Sequence, residues 1–217
     1  PGVDFAKFMF HGIIGMTVLM TSFMSGVSIV WERELGFLKE VLVAPVPRST
    51  IVIGKALGSA TVSMFQGSLI LGLAPLLGVK LTFLLVLQLW PLMALVALAA
   101  SALGILIASR MKSMEGFQLI MQATIMPMIF LSGVFFPVNS LPAWMNSVVK
   151  ANPVTYGVDA IRQVVLAGEA ALQDAASLAW RVTVYQHTMT VLQDMIVVVA
   201  FGIVVGGLAV WSFARQD

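Results

Sequence analysis

Five stretches of this chain are long, apolar and almost free of charge: roughly 9–30, 51–77, 84–108, 117–136 and 191–213. A helix needs about 20 such residues to cross the hydrocarbon core of a bilayer. Within that core a backbone must satisfy its own hydrogen bonds, which leaves the α-helix as the spanning form for runs of this length. His11 is the one ionisable group in the first stretch, Lys55 stands about a turn into the second, and Asp194 opens the fifth; the third and fourth carry none. A lysine so near a span's end can snorkel to the interface. Only 10% of the 217 residues are charged, against about 25% in soluble domains, and the mean hydropathy is +0.99. The expected fold class is therefore all-α: a polytopic transmembrane helical protein, a single domain over 1–217 with five visible spans.

Loop charge sets the orientation. Arg33, Lys39 and Arg48 lie in the 31–50 loop, Arg110 and Lys112 in the short 109–115 loop, and Arg215 at the end. Short basic loops stay in the cytoplasm, which puts the C-terminus there too and the visible N-terminus outside. The chain begins at Pro1 with no signal-peptide pattern. One further span before it, six in all, would return the N-terminus to the cytoplasm. The chain has no cysteine, so disulfide frameworks, thiolate metal sites and cysteine catalysis are excluded. A net charge of +2 gives no nucleic-acid surface.

The segments outside the spans carry most of the specific information. Residues 31–50 read WERELGFLKEVLVAPVPRST. Leu35, Leu38, Val41 and Leu42 recur at helical spacing, with Glu34, Lys39 and Glu40 on other faces, which predicts a short amphipathic helix. Pro45 and Pro47 end it, and Ser49 or Thr50 is placed to cap the next span. Such a helix either rests on the membrane surface or docks a soluble partner. The long 137–190 segment holds a turn or two from Ser140 to Val149 and then NPVTYGVDAIRQVVLAG at 152–168. Asn152-Pro153 marks a helix start, and Val154, Val158, Ile161 and Val165 form one stripe beside a possible Asp159–Arg162 pair. Spacing reads both as helices lying on the outer leaflet.

Inside the spans, Gly54/Gly58, Gly202/Gly206 and the Ala100, Gly104, Ala108 ridge predict close helix packing. Gln118 and Gln122, one turn apart, either line a pathway or bond to a neighbouring helix, and Pro127 is expected to kink their span. The only Gly-Lys pair, Gly54-Lys55, lacks the earlier glycine and the hydroxyl of a phosphate-binding loop. His11 and His187 stand alone, short of the three or four ligands a zinc site needs. No Ser/His/Asp set has context for catalysis, and no carboxylate falls in the middle of a span, as ion-coupled carriers usually require.

The segments WERELGFLKEVLVAPVPRSTIVIGKALG at 31–58, IASRMKSMEGFQLIM at 107–121, FLSGVFFPVNSLPAWM at 130–145 and NPVTYGVDAIR at 152–162 together resemble the type-2 permeases of ATP-binding cassette (ABC) exporters, nearest the daunorubicin-resistance branch. The resemblance implies a multi-pass permease of the cell (inner or plasma) membrane, surrounded by lipid. It implies a homodimer or heterodimer of permeases paired with separate ATPase subunits that carry ATP and Mg, with no cofactor on this chain. It implies a coupling helix over Glu32, Arg33, Glu34, Leu35, Gly36, Phe37, Leu38, Lys39, Glu40 and Leu42, with the charged trio anchoring its start. Two short outer-leaflet helices are implied over 138–167, and a drug, lipid or glycan as substrate. Gln118, Gln122 and Pro127 are the candidate substrate path. The competing reading is an ion-coupled secondary transporter with no ATPase.

Overall fold

The computed structural model describes residues 5–37, 46–77, 81–134, 143–168, 183–184 and 187–215. Among them the chain is helical apart from one antiparallel pair of two-residue strands, β1 (Thr183–Val184) and β2 (His187–Thr188). The helices are α1 (Phe5–Phe23), α2 (Ser25–Glu34), α3 (Arg48–Gly72), α4 (Phe83–Arg110), α5 (Met114–Phe130), α6 (Ala143–Ala151), α7 (Pro153–Gly168) and α8 (Val191–Ala214). The all-α, polytopic expectation holds.

Four helical stretches are long and apolar enough to cross a membrane: Gly12–Glu34, Arg48–Leu76, Phe83–Arg110 and Val191–Ala214. The first joins α1 and α2 across Met24, where the ladder tightens as Val27 N–H donates to the Met24 carbonyl at 3.0 Å. Beside this break the chain meets α4 backbone to backbone. A Cβ at Gly26 would sit 2.5 Å from the Gly104 carbonyl oxygen, and one at Gly104 would collide with the Phe23 carbonyl. The expected ridge on α4 is thus a real packing face, and its counterpart Gly26 was not foreseen.

The expected fourth span, 117–136, is shorter than the sequence implied. α5 has 17 residues, about 26 Å at 1.5 Å per residue, against a hydrocarbon core of about 30 Å. Pro127 lies inside α5 without ending it. The helix stops after Phe130 because Gly133 takes a left-handed φ of 78°, a helix-terminating conformation that glycine adopts without steric cost. Ser132 and Val134 are buried at this end, so α5 finishes inside protein.

α7 packs against this end of α5. Its start follows the expectation: Pro153 is the first helical residue, and Asn152 Oδ1 accepts the Val154 N–H at 3.1 Å. Asn152 also ties this corner to α5 by donating to the Met128 carbonyl at 2.6 Å. The two helices expected here are present, but α7 does not rest on a surface. Residues 154–163 are buried without a break, against α1, α4 and α8. Gly15 admits Val158, and Gly157 admits Val96. The apolar stripe read as membrane-facing is a core stripe.

α4 is the central helix, packed on α8, α3, α1, α2 and α7. Gly202 of α8 meets Ala99, and Gly206 meets Ala102, so one expected glycine pair is used. A Cβ at Gly54 or Gly58 would meet nothing within 4 Å, so the other pair faces away from the described residues. Two caps differ in kind. α3 starts at Pro47 with no side-chain cap, earlier than the expected Ser49 or Thr50, because proline already fixes the chain's entry. α8 carries a full capping box between Thr190 and Gln193. Expectations for 38–45, including the body of the amphipathic helix, and for 137–142 lie outside the described residues.

Candidate functional site

The ends of α2, α4 and α8 and the starts of α3 and α5 converge at one end of the bundle, and charged side chains join them. Glu32 pairs with Lys55 of α3 at 2.6 Å, and Lys55 also donates to Ser28 Oγ at 3.2 Å. Arg33 donates to the carbonyls of Ala108 and Ser109, at 3.4 and 3.2 Å, and to that of Met111. Glu34 accepts the Met114 N–H at 2.7 Å, capping α5. Three consecutive residues therefore hold three different helices. The signs suit the helix dipole: a cation on the C-terminal carbonyls of α4 and an anion on the N-terminus of α5.

Arg48 repeats the device on the far side of the 35–47 segment. It donates to the carbonyls of Phe213 and Ala214, at 3.2 Å each, at the C-terminus of α8. The segment thus leaves the bundle beside an arginine clamped to α4 and returns beside one clamped to α8. Leu35, Gly36 and Phe37 are exposed at its start, and Gly36 takes a φ of 82°. Leu38, Lys39, Glu40 and Leu42 lie outside the described residues. Sequence reasoning singled out Glu32, Arg33 and Glu34 as the start of a coupling helix rather than as ties between helices, and did not single out Arg48. The available signal was a basic residue in the first turn of its own helix, where the dipole disfavours it.

A groove of about 530 Å³ runs between α1 and α5, a size that suits a small-molecule site. Gln118 and Gln122 line it together with Thr21, Phe117 and the methionines 20, 24, 121 and 126. Thr21 Oγ1 donates to Gln66 of α3 at 2.6 Å, extending the polar strip. No charge lines the groove, and its flexible methionines suit contact with varied apolar shapes. Pro127 lies next to Met126 but does not line the groove.

At the opposite end a buried polar cluster joins α7 to α8. Gln163 Nε2 donates to Asp159 and to Asp194, at 2.8 Å each, and Arg162 donates to the Gly133 carbonyl. The cluster fixes α7 in its slot. Only its Asp159–Arg162 spacing was visible in the sequence.

Helices built for a bilayer, charge clamps at one end and an uncharged groove describe a multi-pass membrane protein. The match to known proteins agrees: the family model described as "ABC-2 type transporter" covers residues 3–166, and the chain belongs to that family. It is 28% identical over 173 residues to the "Probable multidrug ABC transporter permease YbhR" of Escherichia coli (strain K12), covering 76% of this chain and 45% of that protein. It is 28% identical over 167 residues to "Nodulation protein J" of Rhizobium meliloti (strain 1021), covering 76% and 63%. It is 26% identical over 161 residues to the "Putative transport permease ycf38" of Cyanophora paradoxa, covering 73% and 56%. The matched part is 45% to 63% of the length of these curated relatives.

Proposed function

We propose that this chain is the membrane-spanning subunit of an ATP-driven exporter in the cell membrane, working as a dimer with separate ATPase subunits that bind ATP and Mg. The observation that carries the reading is the double arginine clamp around residues 35–47. A push on that segment from a docked ATPase is delivered to α4 through Arg33 and to α8 through Arg48, the two most closely packed spans. ATP-driven closure of the ATPases then shifts the bundle's population toward an outward-open state. The groove with Gln118 and Gln122 receives the substrate, a drug, lipid or glycan-type molecule. The names of the relatives, a multidrug ABC transporter permease among them, support the class.

Leu38→Asp tests the docking role. A charge placed in an apolar contact costs several kcal/mol before relaxation, while no spanning residue changes. Efflux and ATPase recovery in a pull-down should both collapse, with membrane insertion intact. Normal efflux and normal recovery would remove 35–42 from the coupling role.

Buried Asp159 and Asp194 give the ion-coupled reading its one foothold. Both are bridged by Gln163 and neither lines the groove, so they serve packing better than ion passage. Efflux that survives an uncoupler but stops on ATP depletion decides for the ATPase-driven reading; the reverse pattern decides against it.

A further inference from the structure

We propose that Arg110, Trp211 and Arg215 form a binding site for the phosphate of an anionic phospholipid. The Arg215 guanidinium lies 4.1 Å from the centroid of the Trp211 ring, and that of Arg110 lies 5.9 Å from it. A guanidinium stacks readily on an aromatic face while keeping its donor edge available. Arg110 is held further: its Nε donates to Ser212 Oγ at 2.8 Å, which shares a 2.7 Å hydrogen bond with Ser109 Oγ. Nε is thus occupied by protein, and the terminal nitrogens remain for a ligand.

The charge at this site is not neutralised within the described residues. Glu32 is on Lys55 and Glu34 is on the α5 N-terminus, and no carboxylate among the described residues pairs with Arg110 or Arg215. Two ordered guanidiniums, both exposed, therefore face outward at the end of two spanning helices. Planar forks of this kind suit phosphate oxygens.

A lipid, rather than free phosphate, follows from what leads up to the site. Val204, Leu208 and Trp211 are exposed on α8, and with Arg215 they fall at spacings of four, three and four residues. Those spacings place them on one face of the helix. An acyl chain lying on Val204 and Leu208 brings its headgroup to the two arginines, with the indole at the headgroup level that tryptophan favours. The site sits beside the α8 carbonyls held by Arg48, so its occupant touches the element that receives the coupling push. The proposal itself stands without the exporter reading.

The test is native mass spectrometry of the purified full chain in detergent, titrated with phosphatidylglycerol, phosphatidylcholine or inorganic phosphate. The chain should bind phosphatidylglycerol more tightly than phosphatidylcholine, and inorganic phosphate should not compete at equal concentration. Near a membrane each basic residue contributes about fivefold to anionic-lipid binding. Arg215→Gln should weaken phosphatidylglycerol about fivefold and the double variant with Arg110→Gln about 25-fold. Arg215 lies beyond the last helical turn, so if Arg110→Gln disturbs the fold, Arg215→Gln alone decides. Unchanged affinity in Arg215→Gln, equal binding of phosphatidylcholine, or competition by free phosphate would each overturn the site. A changed oligomeric state in the variants would assign the face to a second copy of the chain instead.

Discussion

Arg33 donates to three main-chain carbonyls at the end of α4, and hydrogen bonds to a charged group contribute about 1.5–3 kcal/mol each in favourable cases. Arg33→Gln should lower the thermal unfolding temperature in detergent and reduce substrate moved per ATP hydrolysed. Arg33→Lys, which keeps the charge but loses the fork, should fall between. Unchanged transport per ATP in Arg33→Gln would remove the clamp from the coupling path. Gly26 poses a steric question of the same size. An added methyl there meets the Gly104 carbonyl and the Phe117 ring, so Gly26→Ala should destabilise by about 1–3 kcal/mol through overpacking. Gly54→Ala, which meets nothing within 4 Å, should stay within about 0.5 kcal/mol. Paired melting curves check both. Glu32, Arg33 and Glu34 were singled out because the family resemblance puts the start of a coupling helix there, beside the end of a span, where charges need partners. The sequence could not say which partners, because two of the three bind main-chain groups, whose positions no residue type reports.

At the level of elements, the long spans were legible because lipid imposes both length and composition on them. α5 was over-extended because its apolar run continues past the glycine that ends the helix. α7 was misplaced for the opposite reason. Asp159 and Arg162 read as a pair on a helix lying on the outer leaflet, yet with Gln163 they are buried and hydrogen-bonded inside the bundle, to Asp194, the Gly133 carbonyl and one another. Amphipathicity shows that a helix has two faces and not which medium touches each. The orientation is open to direct test, since the native chain has no cysteine. Lys112→Cys sits between α4 and α5 at the clamped end and should be shielded from an impermeant thiol reagent applied to intact cells. Ser147→Cys, exposed on α6, should label. Outside labelling at residue 112 would invert the orientation argued from loop charge.

For the whole molecule, the sequence contains no phosphate-binding loop, so the purified chain should hydrolyse no ATP. Activity should appear only when an ATPase subunit is added, and the assembled complex should elute with two copies of this chain. Light scattering coupled to size exclusion measures the second, and a phosphate-release assay the first. Robust hydrolysis by a single-component sample would refute the passive-permease reading. The polar strip of Thr21, Gln66, Gln118 and Gln122, in which the three glutamines are exposed, is poorly suited to lipid, and the proposed function uses two of those glutamines to receive the substrate. Replacing both Gln118 and Gln122 with leucine should alter which substrates move while leaving ATPase recovery unchanged.

The clamps also bear on how such a protein diverges. Arg33 and Arg48 grip peptide carbonyls, which every residue supplies, so the residues at 108, 109, 111, 213 and 214 are free to change identity without loosening them. Comparison of many relatives should therefore find both arginines strongly retained while the residues that supply these carbonyls vary. A contact map inferred from paired substitutions would carry no signal for these carbonyl grips, although they tie the ends of two spanning helices.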